Sequence, residues 1–270
     1  LATVGKQVQT AIQYADTVLI DESLAQLGGQ LQAQRTQEDF LHMQGMTQSV
    51  ASDLFYSNNT TDPTAFTGFA NIYNTVTTST SQIANNVIDC GGTGSTNASL
   101  WLITWGPNQI HTIFPQGSTA GLVHLDKGLQ RVYDANSKAY YAYETWLKWD
   151  IGLAIEDWRY CVRACNIDVT LFGGASAPDL ISIMSAMVYK PPVMPAGVAP
   201  VQTSDDPRVV MGRSAFYCNR TVHLALRLQA LNKTNVLLQM EQWAGQSVVT
   251  FMGIPIRVVD KLTNAETRVV

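Results

Sequence analysis

Charged side chains are scarce in this chain of 270 residues. Asp, Glu, Lys and Arg make up 14% of it, whereas soluble domains average about 25%. Uncharged polar residues replace them, with Gln, Asn, Ser and Thr concentrated in residues 26–48, 57–64 and 74–99. Protein–protein interfaces are depleted in charge and enriched in aromatic residues and Met, and this chain has 6 Trp, 10 Tyr, 8 Phe and 8 Met. The composition favours a body largely covered by partners over an ordinary isolated domain.

An excess of basic charge is also missing. The formal net charge is −4 and the pI is about 5.5, and no dense run of Lys and Arg occurs. Domains that bind nucleic acid by neutralising phosphates usually carry a basic patch or a pI above about 9. The sequence therefore argues against such a surface, although passive contact with nucleic acid stays compatible with it.

Long apolar runs and targeting signals are absent as well. No run of 18 or more apolar residues exists, which favours a soluble protein without a membrane helix, and no signal peptide is visible. The chain begins at Leu1 without an initiator Met. We therefore expect that a preceding segment has been cleaved or left out.

The cysteines are few and poorly spaced for a metal. Cys161 and Cys165 form one close pair, but Cys90 and Cys218 provide no second pair of the kind that structural zinc sites use. On one strand, the two close sulfurs would lie about 13 Å apart at about 3.3 Å per residue, too far for a disulfide. We predict four free structural thiols in a reducing compartment.

Catalytic motifs are missing too. No His-Glu-x-x-His, Gly-x-Ser-x-Gly or phosphate-loop pattern occurs, and each of the four His residues is isolated in sequence. A hydrolase would need a pocket that brings together two candidate groups. Those candidates are Glu144, Asp150 and Asp157, combined with His111 or His124. Nothing in the sequence fixes such a pair, so we predict a protein without enzymatic activity.

The N-terminal third reads as mainly helical. Apolar residues at spacings of three and four predict a helix over residues 4–20 and a much longer one over residues 30–56. The longer helix would span about 40 Å. Its predicted apolar face consists of Phe40, Met43, Val50 and Leu54, and residues 57–66 are predicted to form a loop that contains Pro63.

The middle of the chain reads as strands. Around Trp101 both alternating faces are apolar, which predicts a central strand that ends at Gly106-Pro107-Asn108. Residues 121–168 predict a meander of long strands with a turn at residues 134–137. Its last strand would carry Arg159 and Arg163 on one face, where cross-strand charge pairs are their simplest use.

The C-terminal part alternates between the two classes. "APDLISIMSAMVY" predicts a helix with Asp179 in its first turn, and residues 190–207 predict an exposed, extended Pro-rich connection. A third helix is predicted over residues 214–232. The chain then closes in a strand that Gly253 and Pro255 interrupt.

Two stretches carry a resemblance to a known family. They are "SLWLITWGPNQIHTIFPQGSTAGL" at residues 99–122 and "TFMGIPIRVVDKL" at residues 250–262. Together they resemble the major capsid proteins of short-tailed, double-stranded-DNA bacteriophages of the epsilon-fifteen kind, which share the Hong Kong 97 type capsid fold. The resemblance extends over most of residues 12–262. Members of the family usually begin with a further segment, comprising an N-terminal arm and part of an extended loop, upstream of what is Leu1 here.

The resemblance implies an α+β fold with a peripheral domain, an axial domain that contains a mixed sheet, and connections that tolerate rearrangement. Residues 1–66 would form the peripheral domain, with the long helix as its spine. Residues 67–239 would be mainly axial, and residues 240–270 would return to the peripheral domain as one or more strands.

The resemblance also implies a function. The protein would assemble with itself, as hexamers and pentamers, into the icosahedral virion shell around phage double-stranded DNA, in the bacterial host cytoplasm. Portal, scaffolding and cementing proteins would be its further partners, with non-specific contact to the packaged DNA, no membrane and no cofactor. The alternative is a secreted or surface binding or adhesion module, which predicts a stable monomer with disulfides.

In a shell subunit, "WLITWGPNQIH" would be a joint of the scaffold. Trp101 and Trp105 would pack the central sheet, Gly106 and Pro107 would end the strand, and Asn108 would satisfy backbone groups of the loop. Gly253 and Pro255 would similarly mark a strand bend or edge.

Overall fold

The computed structural model describes residues 10–26, 31–174, 176–192, 213–232, 238–243 and 246–270. Its chain divides into two compact units, one of residues 1–67 with 112–153 and the other of residues 68–111 with 154–270. The beginning of the predicted first helix and most of the predicted Pro-rich connection lie outside the described residues.

Helices are few and strands are numerous, so the chain has a mixed α+β fold as predicted. The α-helices are α1 (Glu22–Gln26), α2 (Leu31–Tyr56), α3 (Phe69–Ile72), α4 (Leu180–Val188) and α5 (Arg220–Asn232). The strands are β1 (Ala11–Asp21), β2 (Val87–Asp89), β3 (Asn97–Trp105), β4 (Ile110–Ile113), β5 (Leu122–Tyr133), β6 (Ala139–Ile155), β7 (Cys161–Asp168), β8 (Arg213–Cys218), β9 (Leu238–Trp243), β10 (Gln246–Phe251) and β11 (Ile254–Val258).

The first unit contains a three-stranded antiparallel sheet in the order β1-β6-β5. β5 and β6 form a long hairpin, which confirms this part of the predicted meander. Its turn lies at the predicted position, where the Ser137 amide donates to the Asp134 carbonyl at 3.0 Å. The Asp134 carboxylate also accepts from the amides of Asn136 and Lys138, each at 2.8 Å, so an Asp side chain stabilises the turn as its sequence predicts.

The prediction of a helix near the N-terminus is wrong for the described residues. β1 occupies Ala11–Asp21 and pairs with β6 over its whole length, from Ala11 opposite Gly152 to Asp21 opposite Ala142. The even-numbered residues Val18 and Ile20 are buried, so the apolar positions fit a period of two as well as a helical period. Their β-branched side chains favour a strand, and β6 supplies its partner.

The predicted long helix is confirmed as α2, which runs over 26 residues. It packs on the sheet through Met46, which lies in a core cluster with Val18, Ile20 and Leu147. After Tyr56 the chain continues into a loop. The helix is therefore held by tertiary packing rather than by propensity alone.

The predicted apolar face of α2 is wrong at Phe40. Val50 is buried and Met43 and Leu54 are half-buried, but Phe40 is 62% exposed. The neighbouring Asp39 is turned inward instead and is 7% exposed. Its carboxylate contacts strand side chains described below, and such partners cannot be read from the periodicity of the helix.

The second unit contains a mixed sheet in the order β2-β7-β3-β8-β11-β10-β9. The β2–β7 and β8–β11 pairs are parallel and the other neighbours are antiparallel. β3 lies in the interior of this sheet, and its first eight residues are all buried. The prediction of a central strand with two buried faces is therefore confirmed.

The two faces of β3 contact different parts of the second unit. Leu100 and Leu102 join a large core cluster with residues of α4 and α5. On the opposite face, Trp101 contacts the aromatic rings of Phe69 and Tyr73. Burial on both sides explains why this strand reads as a nearly continuous apolar run.

Three predicted elements of the second unit need correction. The predicted helix over 214–232 begins only at Arg220, because Arg213–Cys218 is β8, held between β3 and β11. The predicted strand around Arg159 begins only at Cys161 and is preceded by a 3-10 turn. Asp179 is the cap of α4 rather than part of its first turn.

The predicted single C-terminal strand is a hairpin. β10 and β11 pair through Thr250 with Pro255 and through Phe251 with Ile254. Met252 and Gly253 both have positive φ, 51° and 77°, as the tight turns of two-residue hairpins require. Gly253 thus marks a reversal of the chain rather than an interruption of one strand.

The predicted domain limits also differ from the two units. Residues 112–153, predicted as axial, lie in the first unit, because β6 pairs with β1 across eleven residue pairs. Residues 240–270, predicted to return to the first domain, lie in the second unit. There β11 pairs in parallel with β8.

Candidate functional site

Trp101 is the centre of an aromatic cluster in the second unit. It is fully buried, and its ring lies 6.0 Å from that of Phe69 and 6.3 Å from that of Tyr73. The guanidinium carbon of Arg163 lies 4.9 Å from the centre of the Trp101 ring, within the range of a cation–π contact. The residue predicted to pack the joint therefore lies deep in the fold, on the face of β3 opposite α4 and α5.

Arg163 forms a buried ion pair with Glu266. Its Nη2 donates to Glu266 Oε2 at 2.8 Å, and the two residues are 3% and 8% exposed. The remaining guanidinium groups donate to Ser99 Oγ at 3.0 Å and to the carbonyls of Ala70 and Tyr73 at 3.2 Å and 2.7 Å. Ser99 Oγ also donates to the Glu266 carboxylate. A buried charge pair of this kind depends on these additional hydrogen bonds.

The C-terminal segment is fastened beside this pair. The Glu266 amide donates to the Asn97 carbonyl at 2.9 Å. Asn166 binds the backbone of Val269 twice, with its Nδ2 donating to the carbonyl at 2.9 Å and its Oδ1 accepting from the amide at 2.8 Å. The last residues of the chain thus complete the core of the second unit.

The predicted strand end at Gly106 is a tight turn. The Gln109 amide donates to the Gly106 carbonyl at 3.2 Å, and the Gly106 amide donates to the Ile110 carbonyl at 3.0 Å. Pro107 and Asn108 occupy the two exposed central positions, where Pro fits the fixed φ of the first. Trp105 lies at the start of the turn, is half-buried and donates from Nε1 to Tyr217 Oη at 2.8 Å.

This turn is also tied to the segment that follows β6. The Gln109 carbonyl accepts from the amides of Glu156 and Asp157 at 2.8 Å and 3.3 Å. The chain leaves the second unit after His111 and re-enters it at Ala154. Within the second unit, the turn therefore connects the stretch of chain that precedes His111 with the stretch that follows Ala154.

Charged and polar groups connect α2 to the hairpin of the first unit. Arg35 forms an ion pair with Asp126 and lies 5.2 Å from the ring centre of Tyr143. Asp39 Oδ2 lies 3.1 Å from His124 Nε2 and accepts from Thr145 Oγ1 at 3.5 Å. Asp126 also accepts from the Gly128 amide at 2.8 Å, at the register shift of β5, and these bonds keep the pKa of Asp126 below its usual value. This network fixes the register of the hairpin on the helix.

Comparisons with known proteins decide the family. A solved structure of bacteriophage Epsilon15, determined by cryo-electron microscopy and modelling, contains a chain that is 32% identical to this one, with a TM-score of 0.67. The match covers 96% of this chain and 74% of that one. A search of curated proteins found no match. The family model described as major capsid protein GP7 matches residues 2–270.

The chain belongs to the major capsid protein GP7 family. As a GP7 capsid protein it has a structural role in the shell of a phage virion, and its mixed α+β fold matches that of the Epsilon15 chain. The family found from the two sequence stretches is confirmed. The alternative of a secreted or surface binding module has no support in these comparisons.

The acidic residues considered for hydrolase chemistry have other partners in this GP7 capsid protein. Glu144 pairs with Lys127 at 2.6 Å, Asp150 with Lys148 at 2.8 Å and Asp157 with Arg159 at 2.6 Å. The last pair corrects the predicted cross-strand partner of Arg159, because Asp157 is only two residues away. His124 contacts Asp39, which was not among the candidates.

The part of the chain that the structure describes contains neither a metal-binding cluster nor a membrane-spanning helix. Among these residues, no group of three or more His, Cys, Asp or Glu side chains is placed to hold a metal ion. None of the described helices combines the length and the hydropathy that crossing a bilayer requires.

The four cysteines of the GP7 capsid protein are free, as predicted. Cys161, Cys165 and Cys218 are buried and Cys90 is half-buried. Burial raises the pKa of Cys90 and Cys218 to about 12 each and that of Cys165 to about 11. It also raises the pKa of Cys161. Because the thiolate is the reactive form, these side chains should be inert in the folded protein.

Titration with a thiol reagent distinguishes free cysteines from disulfides. At pH 8 and without reductant, we expect the native protein to react very slowly with Ellman's reagent and the denatured protein to give four equivalents of thiol at once. Titration in the presence and absence of guanidinium chloride measures both values. Fewer than four equivalents in denaturant would contradict the free thiols and would fit the disulfides of a secreted module.

Proposed function

We propose that this GP7 capsid protein assembles with itself into hexamers and pentamers, and that these form an icosahedral shell around phage double-stranded DNA. The observation that carries the proposal is the family match over residues 2–270, together with the similarity to the Epsilon15 chain over 96% of this one. Such a shell requires its main subunit to bind other copies of itself.

The surface of the chain suits assembly through many modest contacts. Only 14% of the residues are charged, and several large apolar side chains are exposed in the described residues. Those with the greatest exposure are Leu24, Phe40, Tyr133, Tyr189, Leu224 and Val270. Depletion of charge with enrichment of aromatic residues is typical of the central parts of interfaces, so apolar and uncharged polar contacts would stabilise the shell.

The two units correspond in this proposal to the two domains of a Hong Kong 97 type subunit. The first unit, with α2 as its spine helix, is the candidate peripheral domain. The second unit, with the mixed sheet, is the candidate axial domain. The turn from Trp105 to Ile110 then acts as the scaffold joint, since the Gln109 carbonyl holds the amides of Glu156 and Asp157 beside it.

The proposed role is non-enzymatic and needs no cofactor. Packaged DNA would contact the inner surface without sequence readout, and cations would screen its repulsion from a chain of net charge −4. Portal, scaffolding and cementing proteins are the proposed further partners of the shell. Each of them would bind an assembled surface rather than a pocket with reactive groups.

Light scattering coupled to electron microscopy tests the proposed assembly. The purified protein, with any natural N-terminal segment present, is measured over a range of salt and protein concentrations. We expect rings of five or six subunits or closed shells. A monodisperse monomer under all these conditions would contradict the proposal.

A further inference from the structure

Helix α5 of the second unit has two apolar sides, of which only one is buried. Val222, Ala225 and Leu226 lie in the core cluster. Leu224 and Leu228 are 59% and 51% exposed, and residues four apart lie on one side of a helix. We call Leu224 and Leu228 the outer stripe of α5. A surface helix normally has one apolar stripe, so a second one indicates a contact that the described part of a single chain does not make.

The outer stripe is accompanied by positive charge. Arg227 is exposed and adjoins Leu228 in the sequence, and α5 contains no Asp or Glu. A self-complementary contact between two outer stripes would bring the two Arg227 side chains together across a two-fold axis, because such contacts place the same patch on both sides. The stripe therefore fits a different, acidic surface better than it fits a copy of itself.

The first unit has a groove of that character. It lies between β1 and α2, has a volume of about 650 Å³, and is lined by Leu41, Gly45 and Met46 together with the acidic Glu38. Its other acid, Asp16, is already engaged in the groove by His42, whose Nδ1 lies 2.6 Å from Asp16 Oδ2. A Cβ atom built on Gly45 would have no neighbour within 4 Å, so the groove is open above this glycine. Leu41 is itself 51% exposed.

The overall charges of the two units agree with this pairing. The first unit contains 11 acidic and 6 basic side chains in its sequence, a net charge of −5, and the second contains 10 acidic and 11 basic side chains, a net charge of +1. Opposite charges on two surfaces favour their encounter and fix their orientation. The groove of a second copy of the chain is thus the acidic and apolar surface that the outer stripe would bind.

We propose that the outer stripe of α5 in one copy docks into the β1–α2 groove of a second copy. Leu224 and Leu228 would pack over Gly45, and Arg227 would face Glu38. The two surfaces differ, so the contact is head-to-tail, and repeated head-to-tail contacts can close into rings. This inference rests on the proposed self-assembly and names one contact that builds the rings.

Two variants remove one surface each. Leu224→Gln/Leu228→Gln makes the stripe polar, and Gly45→Leu fills the groove. Because all three positions are open, the stripe variant should keep the wild-type thermal midpoint, and Gly45→Leu should keep or raise it, since Gly is the poorer helix former. We expect each variant to need about tenfold or more protein for assembly, the effect of losing an apolar anchor of an interface. Leu171→Gln, at a residue 40% exposed outside α5, and Gly45→Ala serve as matched controls and should assemble almost as wild type.

Mixing the two variants tests the head-to-tail geometry. The stripe variant keeps its groove and the groove variant keeps its stripe, so one contact between them remains intact. At a protein concentration where wild type assembles but each variant alone stays monomeric, we expect their equimolar mixture to form dimers, measured by sedimentation velocity. A self-complementary contact would give no dimer from such a mixture.

Charge reversal tests the proposed ionic partner without changing apolar area. Arg227→Glu and Glu38→Arg should each weaken assembly, and the chain that carries both changes should regain it. Wild-type shells combined with normal assembly of all these variants would overturn the docking contact while leaving the proposed function intact. A wild-type chain that never assembles would instead contradict the proposed function itself.

Discussion

Replacing Trp101 by Ala is expected to lower the free energy of unfolding by about 3 to 5 kcal/mol, the range for removing a fully buried large aromatic side chain. The side chain is fully buried in the second unit. It contacts the rings of Phe69 and Tyr73 and the guanidinium of Arg163. The substitution therefore leaves a cavity and removes one side of a cation–π contact. Chemical denaturation followed by circular dichroism measures the loss.

Trp105→Ala is the matched control for this prediction. Both residues lie on β3, but Trp105 is only half-buried at the end of the strand. Its loss removes a contact with Phe69 and the hydrogen bond to Tyr217, and we expect a clearly smaller effect than at Trp101. From the sequence alone the two positions are equivalent, because residues four apart on a strand lie on the same face. A loss at Trp105 equal to that at Trp101 would contradict the burial that separates them.

Local sequence patterns predicted the elements whose environment is local. The two apolar faces of β3 and the length of α2 could be read from periodicity, because burial on both sides or on one side leaves a distinct pattern. The turn at Asp134 could be read from its residue types. In each case the side chains that decide the structure lie within a few residues of one another.

Elements that depend on a distant partner cannot be predicted from a local pattern. The apolar spacing of β1 fits a helix and a strand equally well, and its pairing with β6, more than 120 residues away in sequence, decides between them. The same holds for β8, which lies between β3 and β11. Asp39 replaced Phe40 on the inner side of α2 because His124 and Thr145 offer it hydrogen bonds.

In the candidate site too, residues with a local sequence signal can be predicted and residues with a distant partner cannot. Strand alternation predicts the buried position of Trp101, and turn chemistry predicts the turn at Gly106. The partner of Arg163 was not found, because Glu266 is separated from it by 103 residues and lies in a segment with no regular pattern. The sequence predicts a cross-strand charge pair for Arg163 but carries no signal that its partner is Glu266.

Glu266→Ala should destabilise the second unit by about 3 to 5 kcal/mol, since removing one partner of a buried ion pair leaves the other charge uncompensated. Arg163 would remain 3% exposed in the wild-type geometry with only Ser99 and two backbone carbonyls as acceptors. The C-terminal segment would also lose the link from Glu266 to Ser99 and Arg163. We therefore expect faster proteolysis of residues 263–270 than in wild type, in addition to the loss measured by denaturation.

The double variant Arg163→Met/Glu266→Leu distinguishes the ion pair from simple packing. Apolar replacement of both partners can be nearly neutral where removal of one is costly, so the double variant should be more stable than Glu266→Ala. Arg220→Ala is the control, because its ion pair with Asp260 is exposed and its removal should change stability little. If the double variant lost as much stability as the single variants Arg163→Met and Glu266→Leu combined, the charges would not be coupled, and shape alone would hold the C-terminal segment in the core.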